Sequence, residues 1–325
     1  MKIETFDLLE FENANSHEKQ IYAKKIDEHL QKIGFLIVVN HSISKICLNN
    51  ISLVLNIFFN QNENFKKKFQ APYNGYPYGY FVSESETLAK SKGNNTPPDL
   101  KESFNGGPIR VPSKNISKEA FDFCYLPTIW PEIENFKKYW EIYYNEMENL
   151  AKRLMSVFAI SLNLKANYFN KYINNPISAL RALNYPKITK KVLPNQQRAG
   201  EHTDYGSLTI LHSLNSIDGL QVKYENNWID VPDIENSFII NIGDLMARWT
   251  NDRWSSTLHR VVPKNYSGSR KTLAFFHQPD WDAKINCISS CIDRGIKYSE
   301  VKSGPYLMNK FNSTTNKNCK CQFIV

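Results

Sequence analysis

The stretch GEHTDYGSLTIL, Gly200 to Leu211, sets a histidine and an aspartate two residues apart in front of a run that alternates like a β-strand. Side chains at i and i+2 of a strand point to one face, so His202 and Asp204 are expected to close on one ion from the same side. Short runs of β-formers recur around this stretch after Pro176: Ile177 to Leu183, Leu208 to Leu214, Leu220 to Tyr224, Trp228 to Val231, Phe238 to Ile242, Thr257 to Val262 and Thr272 to His277. Turn residues separate them, the pattern of an antiparallel sandwich or barrel, and the second half reads as all β.

The first half has a different texture. From Ser16 to Ile33 apolar residues recur at helical spacing until Gly34, after which GFLIVVN, Gly34 to Asn40, reads as a buried strand. Helical periodicity returns from Ser44 to Phe69, and again from Pro131 to Leu162 and from Ala166 to Tyr172, with Pro131 placed for a first helical turn. The segment YNGYPYGY, Tyr73 to Tyr80, is a loop with aromatic side chains to offer a ligand. The fold class is α+β with a mainly β core.

Composition excludes several classes. The 325 residues are 42% hydrophobic and 22% charged, and no run approaches the roughly 18 apolar residues of a membrane span. The opening MKIETFDLLE carries acids where an export signal has bases, so a cytoplasmic location is expected. Six cysteines scattered over this length point to free thiols; Cys319 and Cys321 have no second ligand pair at zinc-site spacing. The net charge of +8 suits an anionic small molecule. The basic clusters FKKKF and KITKK lack the interleaving of nucleic-acid modules, so no nucleic-acid partner and no membrane partner is expected, and the protein reads as a monomer.

One imidazole and one carboxylate make only two ligands. Of the seven histidines, His259 in SSTLHRVVP lies on a strand whose register turns it to one face, far enough along the chain to return opposite the pair. Two histidines and a carboxylate on one side of a metal leave other positions open, which suits non-haem Fe(II) better than zinc. A lone His-x-Asp pair is common in chains that bind nothing; the third ligand gives it weight. In SRKT, Arg270 and Thr272 again share a face, and a guanidinium fork with a hydroxyl is a receptor for a carboxylate.

At this point the chain resembles the isopenicillin N synthase-like branch of the 2-oxoglutarate/Fe(II)-dependent dioxygenases, over nearly its whole length. GFLIVVNH is similar to that family's G-F-F-x-V-x-N-H-G element, with Ser42 where glycine is usual. PDLKESF (Pro98 to Phe104), LRALNYP (Leu180 to Pro186), GEHTDYGSLTIL, GLQV, NIGD and WTNDRWSSTLHRV (Trp249 to Val261) resemble further family motifs. The resemblance implies a double-stranded β-helix, or jelly roll, at 176–290, braced by a helix-rich region at 1–175 with one or more strands and followed by a tail at 291–325, in one compact unit. It implies iron bound by His202, Asp204 and His259. It also implies 2-oxoglutarate held by Arg270 and Thr272, with Thr for the family's Ser and with Tyr185 adding a hydrogen bond.

The implied reaction consumes O2 and 2-oxoglutarate, with ascorbate as reductant, and leaves succinate and CO2. A hydrogen atom is taken from a small molecule, which is then hydroxylated, desaturated or closed into a ring, as in specialised metabolism. No protein general base is required. Substrate contacts are expected from Arg181, Tyr80, Phe81, Glu86, Phe104, Arg248, Phe276 and Trp281; Arg181, on the same strand face as Tyr185, points to an acidic or amino-acid-derived substrate. The alternatives are an Fe(II) oxidase of the same family that does not use 2-oxoglutarate, and a binding protein that keeps the fold without the chemistry.

Overall fold

The chain opens with a short strand, β1 (Thr5–Asp7), then helices α1 (Leu8–Asn13) and α2 (Ser16–Lys32). Asn15 caps α2: its side chain accepts from Glu18 N at 3.1 Å while Glu18 accepts from Asn15 N at 2.9 Å, satisfying two helix-end amides reciprocally. Gly34 then turns the chain into β2 (Phe35–Val39) at φ +65°, where an added Cβ would lie 1.9 Å from the Ser255 carbonyl oxygen. Only glycine fits there. These are the elements of a computed structural model that describes residues 2–73, 75–94, 96–113, 116–188, 191–216, 218–263, 269–293 and 295–314; Cys319 and Cys321 lie outside the described residues.

The helix expected from Ser44 to Phe69 is two helices, α3 (Lys45–Phe59) and α4 (Glu63–Lys67), because the Asn62 side chain accepts from Phe65 N at 2.9 Å and starts a new one. Strands β3 (Gly79–Phe81) and β4 (Glu102–Gly106) and helix α5 (Lys118–Cys124) follow. The long helix α6 (Phe136–Ser161) begins later than Pro131: that proline forms a turn, its carbonyl accepting from Ile133 N, and Asn135 turns back at φ +60°. The expected Ala166–Tyr172 helix is reduced to a single 3-10 turn at Asn170–Tyr172.

The second half contributes β5 (Ala179–Tyr185), β6 (Ala199–His202), β7 (Leu208–Ser213), β8 (Leu220–Tyr224), β9 (Asn227–Asp230), β10 (Phe238–Ile242), β11 (His259–Val261), β12 (Arg270–His277), β13 (Lys284–Ile285) and β14 (Val301–Lys302). It is not all β. Helix α7 (Asp244–Trp249) follows NIGD, and the expected tail contains α8 (Ser303–Thr314), whose Leu307 and Phe311 are buried.

Two sheets face each other, an eight-stranded one in the order β1-β2-β10-β7-β12-β5-β4-β3 and a four-stranded one in the order β6-β11-β8-β9. Four of the eight strands come from the first half, so the N-terminal region is woven into the large sheet as well as bracing it. Strand period then sorts the side chains. Phe238, Ile240 and Ile242 of β10 and Leu273 and Phe275 of β12 face a core shared with α2, α3 and α6, whereas Ile239 and Ala274 face Leu220, Val222 and Val261 of the small sheet. The space between the sheets is where the sequence-predicted site residues meet.

Ser42, at the position where the family resemblance expects glycine, takes φ +67°. A Cβ in this left-handed region costs about 1–2 kcal/mol. Ser42→Gly, on an exposed residue, is expected to raise the unfolding free energy by about 1 kcal/mol, read from the urea midpoint; an unchanged or lowered midpoint would contradict the strain.

Candidate metal centre and co-substrate pocket

His202 closes β6 and His259 opens β11, and the antiparallel register sets the two directly across from each other. Each Nδ1 faces a backbone carbonyl, His202 that of Gly200 at 2.6 Å and His259 that of Thr257 at 3.0 Å. A carbonyl only accepts, so both Nδ1 carry the proton and both Nε2 lone pairs are left for a metal. Burial, and then the neighbouring His259, hold the His202 pKa well below the usual imidazole value, which keeps that ring neutral.

The two Nε2 atoms lie 3.9 and 3.6 Å from Asp204 Oδ1. All three ligand atoms fall within 4.8 Å of one another, and all three residues are buried. The spacing predicts that Asp204 shares a strand with His202, and it does not. Strand β6 stops at His202, and Asp204 sits in the turn that carries the chain from the small sheet to β7 of the large one. Its Oδ2 accepts from the Thr209 hydroxyl and from Asn241 Nδ2, the latter at 2.7 Å, and its carbonyl accepts from Asp244 N at 2.7 Å. Thr209 and Asn241 were missed from the sequence as positioning residues, although Asn241 stands in the NIGD motif that carried the resemblance.

Arg270 and Thr272 share the inward face of β12, and Tyr185 is the cross-strand partner of Arg270 on β5. The Arg270 guanidinium stacks 4.8 Å from the Tyr185 ring centroid and its Nε donates to Ser216 O at 3.1 Å. Its Nη1 and the Thr272 Oγ1 are buried and find no partner among the described residues. Buried donors left unpaired are costly unless something occupies the space before them, so these two atoms fit a carboxylate. The metal ligands, Arg270 and Tyr185 line one cavity between the sheets. The residues therefore fit both Fe(II) and a dicarboxylate.

Arg181, further along β5, and Lys101, just before β4, line the same cavity. Glu86 joins them, paired to Arg181 Nη2 and lying 3.1 Å from Lys101 Nζ, and Asp99 lies 3.2 Å from the same Nζ. Asp99 also accepts from Leu88 N and Gly200 N, tying the 3-10 turn at Leu88–Lys92 to β6. Burial alone would raise the Glu86 pKa, but Arg181 and Lys101 outweigh it and hold the carboxyl below its usual range. Replacing Glu86 by alanine leaves two buried cations with one carboxylate, which is expected to cost about 3–5 kcal/mol. Urea unfolding of Glu86→Ala measures it, and a loss under about 1 kcal/mol would mean that the pair is not desolvated.

The other predicted substrate contacts divide. Phe276 lines the cavity. Tyr80 and Phe104 face the opposite side of the sheet and pack on Phe58, because β4 turns its odd-numbered residues inward. Phe81 is half-buried and lines no described cavity. Arg248 stacks on Tyr298 and Tyr306 and donates to Ser299 O, outside the site. Trp281 packs with Leu307 and Phe311 in a separate cluster.

Residues 174–279 match the 2OG-Fe(II) oxygenase superfamily, and residues 3–133 match the N-terminal region described as non-haem dioxygenase in morphine synthesis. The fold superposes on a full-length Neurospora crassa protein solved in complex with alpha-KG with a TM-score of 0.83, at 30% identity over 96% of each chain. The chain belongs to the 2OG-Fe(II) oxygenase superfamily. It is an Fe(II)- and 2-oxoglutarate-dependent dioxygenase with the jelly-roll fold, acting on a small molecule. Among its relatives are the 2-oxoglutarate-dependent dioxygenase htyE of Aspergillus rugulosus, 28% identical over 92% of this chain and 95% of that one, and the proline hydroxylase buaE of Petromyces alliaceus, 28% identical over the same shares. No helix among the described residues is long and apolar enough to cross a membrane.

Proposed function

We propose that His202, Asp204 and His259 hold Fe(II), that Arg270, Thr272 and Tyr185 hold the far carboxylate of 2-oxoglutarate, and that the substrate is a small molecule without net charge, amino-acid-derived zwitterions included. The observation that carries the substrate reading is the charge balance of the inner cavity. Arg181 and Lys101 are matched by Glu86 and Asp99, so a purely anionic substrate would meet cations already neutralised in a desolvated space. A zwitterion or a neutral polar group keeps that balance. Thymine is bound in another structure of the Neurospora crassa protein and proline is named in the activity of buaE; neither molecule carries net charge near neutral pH.

When bound, Fe(II) couples the oxidative decarboxylation of 2-oxoglutarate by O2 to oxidation of the substrate. The chain's own groups position and exclude. Thr209 and Asn241 fix the Asp204 carboxylate, the Gly200 and Thr257 carbonyls fix the imidazole tautomers, and the apolar walls Phe35, Leu183, Leu220 and Val261 keep water out. Anaerobic addition of 2-oxoglutarate to the Fe(II)-loaded protein is expected to raise a weak visible charge-transfer band. Iron binding without a band would refute the co-substrate assignment and favour the 2-oxoglutarate-independent oxidases of the family.

A further inference from the structure

Beyond the metal cavity lies a second one, between the end of the large sheet and helices α5 and α8. Its walls are apolar, with Tyr78, Phe123, Ile177, Leu307 and Phe311 among them. Ala179 and Phe276 border it, and Phe276 also lines the metal cavity, so this one ring divides the two spaces. The register places the divider level with the metal centre: Phe276 pairs with Thr209, whose hydroxyl donates to the carboxylate of Asp204.

The inward face of β5 reads in order Tyr185, Leu183, Arg181, Ala179, at about 6.6 Å per pair of residues. It passes from the co-substrate end, through the charge-balanced cluster, to the apolar space.

One polar group breaks the apolar wall. Gln278 is 4% exposed, and its backbone N–H donates to Ser178 Oγ at 3.2 Å. Its Nε2 packs on the turn that bears Asp204, where an added Cβ on Gly206 would lie 2.5 Å away. Its Oε1 is buried and finds no partner among the described residues. A buried amide oxygen left unpaired costs about 1–3 kcal/mol, and a ligand's N–H or O–H would recover it. A carboxylate placed there would set acceptor against acceptor.

We propose that this second cavity receives the body of the substrate, which is a largely apolar, uncharged small molecule carrying a hydrogen-bond donor for Gln278 Oε1, and that Phe276 sets how far it reaches toward the metal. The inference rests on the iron and 2-oxoglutarate assignment above and narrows its substrate class.

The test is anaerobic calorimetry of the Fe(II)- and 2-oxoglutarate-loaded protein with three probes: indole, N-methylindole and benzoate. Indole is expected to bind, N-methylindole roughly 2- to 12-fold more weakly for the lost hydrogen bond, and benzoate not to bind. Leu307→Trp and Ile177→Phe each fill the cavity, and either one that folds should remove indole binding while the visible 2-oxoglutarate band persists. Gln278→Leu should erase the preference for indole over its methylated form. Indole binding that survives the cavity-filling changes, or equal binding of the two indoles to the unaltered protein, overturns the inference. So does a failure of indole to bind while the band is intact. A missing band would instead strike at the iron and 2-oxoglutarate reading.

Discussion

Asp204→Ala is expected to abolish Fe(II) binding and all coupled turnover. The carboxylate is the one acid in the cluster of ligand atoms found among the described residues, and it stands between two imidazoles whose Nε2 atoms both face it. Two neutral histidines alone leave a divalent ion without a charged ligand in a buried space, where the Coulomb term matters most. The loss should exceed the roughly 10- to 100-fold that removal of an outer-shell partner costs. Asn241→Leu provides that comparison, since it removes one of the two side-chain donors that orient Asp204 without touching the ligand. Anaerobic iron titration measures both. Stoichiometric iron in the alanine variant would show that the ion sits elsewhere, and an Asn241→Leu defect as deep as that of Asp204→Ala would contradict the separation of ligand from positioning residue.

Arg270→Leu is the second large effect, and it is expected to fall on 2-oxoglutarate while iron binding stays. The guanidinium is 2% exposed and stacks on Tyr185, with one Nη presented to the cavity without a partner among the described residues. Removing one member of a desolvated charge pair costs about 2–5 kcal/mol, roughly 30-fold to several thousand-fold in Kd. Thr272→Val removes only a hydrogen bond to a charged group, about 1.5–3 kcal/mol, or roughly 10- to 150-fold. Titrating the visible band against 2-oxoglutarate gives both numbers. An Arg270→Leu protein that binds 2-oxoglutarate as tightly as the parent would leave the carboxylate receptor unassigned.

The charge-balanced cluster changes what the basic composition means. A net charge of +8 suggested an acidic substrate, yet apart from Arg270, which faces the co-substrate, the cations that line the cavity, Arg181 and Lys101, are paired with Glu86 and Asp99, and much of the remaining excess is on solvent-exposed lysines that cannot reach it. Overall charge speaks to encounter with an anion; it does not set the charge of a buried pocket.

By itself the sequence determined the chemistry and the class of fold. The His-x-Asp pair, a third histidine at a distance and an Arg-x-Thr on another strand are local patterns, and period-2 alternation tells which residues of one strand share a face. Period alone does not say which face looks inward. The sequence offers Tyr80 and Phe104 as substrate contacts, and only the pairing of β4 with β5 shows that Asn105 shares the face of Arg181 while Phe104 faces the helices. Asp204 teaches the same lesson over a shorter span: two residues past a strand end it owes its position to the crossing between sheets, and to Thr209 and Asn241 from other strands. Register, sheet crossing and helix docking are long-range pairings in which each residue's partner is chosen by the burial of the whole. The substrate cavity under α5 and α8 therefore has no local signature, whereas the metal ligands do.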